Sequence, residues 1–276
     1  MKVIKTILIL LLFSYNANSL AAVAYDKTTV LVIPFQIALP IGIKIWFNEC
    51  NGSINGLTSW NKGEDFVSVG IGHFSWYPQH SIRASYNSGF PDLLRYMQSK
   101  GINIPPWLQG KNALHCPWSN RTEFLQQQYS PQMIALRLFL QKTIPIQAEY
   151  MTVNLQKILP KLLESAPIED RRLIYDKFYS LARTPSGIYA LVDYLNFKGP
   201  GISNSLLNYK YGSGLLQVLK GMKYAPSSYT PLQAFVQSAK HALIRRVEHS
   251  SNQQYERWLA GWFKRLNTYL EGDLTT

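Results

Sequence analysis

Trp46-Phe47-Asn48-Glu49-Cys50-Asn51-Gly52, followed by Glu64-Asp65-Phe66-Val67-Ser68-Val69-Gly70-Ile71-Gly72-His73-Phe74, is the stretch that decides how this chain folds. The first half is apolar-rich and stops at Asn51-Gly52, so residues 41–50 read as a short helix begun just after Pro40, with Glu49 near its end. Between the two halves, Gly56, Asn61-Lys62-Gly63 and Gly70 alternate with Leu57, Trp60, Phe66, Val67, Val69 and Ile71. Turn residues set among β-formers predict a tight hairpin or three-stranded sheet over about residues 52–78.

Outward from there the signals become helical. Residues 90–100 read as a helix and 102–118 as a loop with three prolines. Ser130-Pro131 and Thr230-Pro231 each pair an N-cap side chain with a proline suited to the first turn. Further helices are expected near 145–164, 167–183, 187–198, 206–223, 231–249 and 253–270. The expected class is α+β, predominantly α: one domain over 23–276, with a small β lobe at about 52–78 and a helical lobe at about 123–270.

Residues 1–22 carry an export signature. Lys2 and Lys5 precede the apolar run from Ile7 to Phe13, and small residues follow at Ala17, Ser19, Ala22 and Ala24. The run is shorter than the ~20 residues that span a bilayer, so a removable signal peptide is expected, with no stable membrane span after its cleavage. The formal charge is +12, and losing Lys2 and Lys5 leaves about +10, which favours anionic partners. The basic residues are scattered, which argues against a nucleic-acid module and leaves cell wall or membrane surface. A periplasmic or secreted location follows as an expectation. In an oxidising compartment Cys50 and Cys116 could be bridged; the alternative is two unpaired thiols.

Glycosidic cleavage needs a proton delivered to the leaving oxygen, and an acid in apolar surroundings keeps its proton near neutral pH. Glu49, flanked by Trp46 and Phe47, suits that role, and a second carboxylate would activate water or stabilise the cationic transition state. Other chemistries find little support. Ser59-Trp60-Asn61-Lys62 fits the S-x-x-K nucleophile pattern, but its companion elements are absent. Five widely spaced histidines and the lack of H-E-x-x-H or C-x-x-C motifs point to no metal, and no organic cofactor is implied.

The same stretch resembles the phage-type lysozymes, in which a helix-terminal Glu is followed by a hairpin leading to Thr-x-Gly-Ile-Gly-His. Here that motif reads Ser68-Val69-Gly70-Ile71-Gly72-His73, and residues 190–199, Ala-Leu-Val-Asp-Tyr-Leu-Asn-Phe-Lys-Gly, are similar to the family's central helix. The resemblance implies a lysozyme-like helical domain with a β subdomain, and hydrolysis of a polysaccharide, peptidoglycan foremost. By that resemblance Glu49 is the acid and Ser68 takes the catalytic Thr position. Lys62 stands where the family has its Asp, so Glu64 is the expected second carboxylate. Gly70, Gly72 and His73 are expected to be structural, His73 by hydrogen-bonding across the β lobe. Trp60, Trp76, Asp193, Asn196 and Gln217 are candidates for the substrate groove. A lytic transglycosylase, a chitosanase-like enzyme, and a non-catalytic wall-binding or secreted interaction protein on the same scaffold are the alternatives.

Overall fold

The structure, a computed structural model, describes residues 31–81, 89–202, 212–250 and 254–271. The signal-peptide expectation, and residues 206–211 of one expected helix, lie outside the described residues. Among the described residues the chain is predominantly helical with one small antiparallel sheet, as the α+β reading requires. Residues from Leu31 onward form one compact unit.

Helix α1 spans Phe35–Cys50, six residues earlier than its sequence suggests, with Pro40 inside it. Proline removes one backbone donor. Its missing bond would have gone to the carbonyl of Gln36, in the exposed first turn where water can take it. Ala38, Ile41, Gly42 and Ile45 form the buried stripe at spacings of three and four. A Cβ on Gly42 would stand 2.3 Å from Ala148 Cβ, so this glycine lets α1 cross a later helix at backbone range. Asn51, at φ 58°, ends α1 with its N–H donating to the Phe47 carbonyl.

Three short strands follow: β1 Thr58–Ser59, β2 Val67–Val69 and β3 Phe74–Trp76, paired antiparallel in that order. Ser68 lies opposite Ser59 on one side and Ser75 on the other. Helix α2 (Gly89–Ser99) packs behind β3, and two 3-10 turns interrupt the loop that leads to α3 (Arg121–Gln126). The side chain of Asn120 caps α3 by accepting the Glu123 N–H.

The helical lobe continues with α4 (Pro131–Lys142), α5 (Ile144–Ser165), α6 (Ile168–Ala182), α7 (Pro185–Lys198), α8 (Leu215–Gly221), α9 (Pro231–Glu248) and α10 (Gln254–Asn267). Ser130 and Thr230 cap α4 and α9 through their hydroxyls, and Thr184 does the same for α7. Helix α7 is buried from Gly187 to Tyr194 and forms the axis against which α1, α5, α6 and α9 pack.

A buried glutamine helps join the lobes. Gln147, fully buried on α5, accepts the Ile71 N–H at 2.9 Å and donates to the Leu140 carbonyl at 2.7 Å. A Cβ on Gly70 (φ 77°) would meet Gln147 Oε1 at 2.4 Å, so both the backbone angle and the space require glycine there. Gln147→Met keeps the volume but orphans a buried N–H. It is expected to cost about 1–3 kcal/mol in chemical denaturation. A loss within error would show that the turn is held by other contacts.

Candidate active site

Glu49 is the penultimate residue of α1, and its side chain is 15% exposed. Arg265, from the last turn of α10, donates Nη2–H to Glu49 Oε1 at 2.6 Å. The other carboxylate oxygen, Oε2, stands 3.3 Å from His73 Nδ1, brought by the turn between β2 and β3. Helix α1, the glycine-rich turn and α10 therefore converge on one carboxylate that solvent can still reach.

Arg265 is itself anchored. Its Nε and Nη2 donate to the two oxygens of Asp193, at 2.8 and 2.7 Å. Asp193 lies on α7, fully buried, and also accepts from the Tyr269 hydroxyl at 2.5 Å. Burial alone would push the guanidinium down, but Asp193, ahead of Glu49, outweighs it and holds Arg265 well above its ordinary value. Burial, then Asp193, pushes the Tyr269 phenol well above its own, so it stays a donor. Alongside, Asn48 Nδ2 donates to the Tyr189 hydroxyl at 2.6 Å, and Tyr189 shares a hydrogen bond with Thr268 at 3.1 Å.

These contacts revise the sequence reading of Glu49. Its neighbours are a guanidinium and an imidazole rather than apolar rings. Phe47, two residues earlier and so on another face of the helix, is 56% exposed. Trp46 turns its indole toward the Ser53 carbonyl.

His73 is likewise not the cross-sheet strut expected of it. It sits at φ 48°, a left-handed angle rare for a non-glycine residue, with Nδ1 toward Glu49 and a buried Nε2 that has no partner. Gly72 leaves room for Asn196, whose Oδ1 would lie 3.0 Å from a Cβ at that position. Asn196 is thus brought against the turn that carries His73.

The other candidates stand elsewhere. No hydrogen bond or ion pair among the described residues joins Glu64 to Glu49. Glu64 Oε2 is buried without a partner, while the Glu64 carbonyl accepts the Trp60 indole. Ser68 is buried in the middle strand of the sheet, which closes its hydroxyl from a polymer.

Trp60 and Trp76 are buried core residues, Trp76 also bordering a depression that does not include Glu49. Trp60 packs edge-on to Phe124, and Trp76 packs on Phe90 and Trp118 with its indole on the Ala113 carbonyl. Asp193 is the buried counter-ion of Arg265, not a substrate contact. Gln217 is also corrected: it caps α8, accepting the Gly214 N–H and donating to the Gly201 carbonyl.

Cys50 and Cys116 are free thiols, contrary to the bridge. Each turns to a nearby carbonyl, of Trp46 and Trp118 respectively. Burial pushes them up to about 11 and about 12, so both remain protonated.

Aromatic surface near Glu49 comes instead from α10 and the end of α7. Trp258 is 47% exposed and packs on Trp262, whose ring meets that of Phe197. Lys198 Nζ lies 3.5 Å over the Trp262 ring and 4.0 Å over Phe197, and Arg265 covers Phe197 as well. Sequence reasoning had one signal for this pair, two tryptophans four residues apart on an amphipathic helix. For Arg265 it had none, because 216 residues separate it from Glu49.

A separate depression of about 940 Å³ opens between residues 78–80 and the 107–119 loop, lined by Trp107, His80, His115 and Lys111. Glu49, His73 and Arg265 take no part in it. Among the described residues no cluster of His, Cys, Asp or Glu is placed to hold a metal, and no helix is long and apolar enough to cross a membrane. Compared with protein-family models, with curated proteins and with solved structures, the chain matches none.

Proposed function

We propose that this chain is an exported enzyme that cleaves glycosidic bonds of a carbohydrate polymer, peptidoglycan foremost, with Glu49 as the acid. The observation that carries the reading is the setting of Glu49: a partly exposed carboxylate at a helix end, held on one side by Arg265 and faced on the other by His73. Both carboxyl oxygens are held in place, Oε1 by Arg265 and Oε2 opposite His73 Nδ1. Arg265 keeps its bidentate hold on Asp193 throughout, so it can release Glu49 without being left unpaired in the interior.

A specific observation favours one variant of this reading. A hydrolase that inverts configuration uses a second carboxylate ~6.5–9.5 Å from the acid to activate water. Asp193 is the second carboxylate of this cluster, and it is fully buried and saturated by Arg265 and Tyr269. One working carboxylate suits a lytic transglycosylase, in which the sugar's own hydroxyl closes onto the anomeric carbon.

Mass spectrometry of fragments released from purified peptidoglycan tests both. Anhydro ends are expected under the single-carboxylate variant, and free reducing ends under the hydrolase. No release from peptidoglycan, chitin or chitosan would contradict the proposal as a whole and leave the binding-protein alternative. With a formal charge of about +10 after loss of Lys2 and Lys5, activity on an anionic wall is also expected to fall severalfold between low salt and about 0.5 M. A flat salt profile would remove electrostatic attraction from the account.

A further inference from the structure

Helix α1 is apolar on two sides, and only one of them faces the core. Ala38, Ile41, Gly42 and Ile45 look inward. On the other side Phe35, Ile43 and Phe47 are 47, 39 and 56% exposed, with Leu39 and Trp46 partly buried along the shoulder. Positions 35, 39, 43 and 47 are four residues apart, so they line one stripe along the helix. Val32, just upstream, is 74% exposed. No charge interrupts this stripe. The sequence holds no charged residue from Thr28 to Ile43. Beyond it, Lys44 donates to the carbonyls of Thr268 and Glu271, and Glu49 is bound to Arg265.

A helix that is apolar all round is covered on every side, by protein or by lipid. Two features favour lipid. First, polar atoms along the stripe are satisfied from within: the Trp46 indole donates to the Ser53 carbonyl, and the Cys50 thiol to that of Trp46. Such a face suits hydrocarbon, where no water is at hand to complete a hydrogen bond. Gln36 is the polar exception, exposed in the first turn. Second, the chain enters α1 beside a basic, aromatic rim. Leu31 lines a depression of about 470 Å³ together with Arg172, Tyr175, Tyr179 and Arg183. Arg172 pairs with Asp176, which lines the same depression, so Arg183 supplies its net charge. Tyrosine and arginine are side chains that settle at lipid headgroups, apolar body inward and polar tip outward. We propose that the outer face of α1 docks on an anionic lipid bilayer, with the helix lying in the interface and Arg183 at the headgroups.

The helix lies on the membrane and does not cross it. Its 16 residues span about 24 Å, short of the ~20 residues that a crossing needs. Lying flat, it sinks the stripe to the boundary of headgroups and acyl chains, as interfacial helices do. Residues two apart on a helix point to nearly opposite sides. Phe47 can therefore enter lipid while Glu49, with Arg265 and His73, stays on the protein side. The charge of about +10 adds attraction to an anionic surface. This docking does not depend on the glycan reading, and it holds equally for a binding protein. For an enzyme it sets the place of work at the membrane surface.

Vesicle co-sedimentation tests it, with the chain from residue 23 onward, the form left by the expected leader cleavage. The anionic probe is phosphatidylethanolamine with phosphatidylglycerol, and the neutral probe is phosphatidylcholine. Binding to both is expected, tighter on the anionic vesicles and weakened there by salt. Ile43→Glu should lower partitioning by about tenfold or more on both, since it puts a charge where an apolar side chain entered lipid. Phe35→Glu, in the exposed first turn, should do the same, and decides the matter if the first variant does not fold. Arg183→Gln should lower binding about fivefold on the anionic vesicles alone. Absence of vesicle binding, or binding that survives both glutamate substitutions, overturns the inference. So does a dimer in sedimentation equilibrium that Ile43→Glu dissolves while vesicles go unbound, which would make this face a contact between two copies. Glycan release is read separately on soluble fragments, so failure of that reading is distinguishable from failure of this one.

Discussion

Glu49→Gln is expected to slow glycan cleavage by about 10²–10⁴-fold, the usual contribution of a positioned general acid. Glutamine fills the same space and can still accept from Arg265, so the fold should survive. Arg265 retains both bonds to Asp193, which keeps the stability cost below about 2 kcal/mol. The comparison of release rates with thermal melting therefore separates chemistry from structure. A rate loss matched by collapse of the melting transition would show that Glu49 is a structural ion-pair partner and nothing more.

Asp193→Ala is expected to act in the opposite proportion. It strips the fully buried counter-ion from Arg265 and the acceptor from Tyr269. An uncompensated buried charge typically costs about 3–5 kcal/mol, or roughly 10 °C in Tm for a chain of this size. Freed from Asp193, Arg265 is no longer held at its present angle to Glu49, so activity should fall as well, by misplacement rather than by loss of a reacting group. Tyr269→Phe removes one hydrogen bond from the same carboxylate and should cost only about 1 kcal/mol. A Tm for Asp193→Ala within a degree or two of wild type would mean that the pairing with Arg265 does not hold the two helices together.

Local chemistry made much of the fold legible. Ser130-Pro131 and Thr230-Pro231 announce their helices because a cap and a fixed φ act within one turn. Asn51-Gly52 ends α1 for the same kind of reason, and the glycine-rich stretch after it does form three strands. Pro40 misleads because proline penalties are averages for helix interiors, and this one sits close enough to the helix start for water to replace the lost bond.

The site was legible only where neighbours in sequence are neighbours in space. Glu49 could be singled out from its helix end and the turn that follows. Its partners could not: Arg265 arrives from the far end of the chain, and nothing in the Trp-Phe-Lys-Arg-Leu segment around it marks a residue that closes on Asp193 and Glu49. Trp60 and Trp76 look like a sugar platform by type, but Phe90, Trp118 and Phe124 cover them, and which aromatics are covered is decided by tertiary packing. The spacing of Cys50 and Cys116 says nothing of whether their side chains can meet, and each found a carbonyl close by in sequence instead.

Leaving-group dependence tests the central claim most directly, because a proton donor matters only when the departing oxygen needs a proton. Across a series of aryl glycosides of the preferred sugar, the defect of Glu49→Gln is expected to be large for poor leaving groups such as a plain phenol. It should shrink toward nothing for a dinitrophenol, which departs as a stable anion. A defect of the same size along the whole series, or none at any point, would contradict the assignment of residue 49 as the acid.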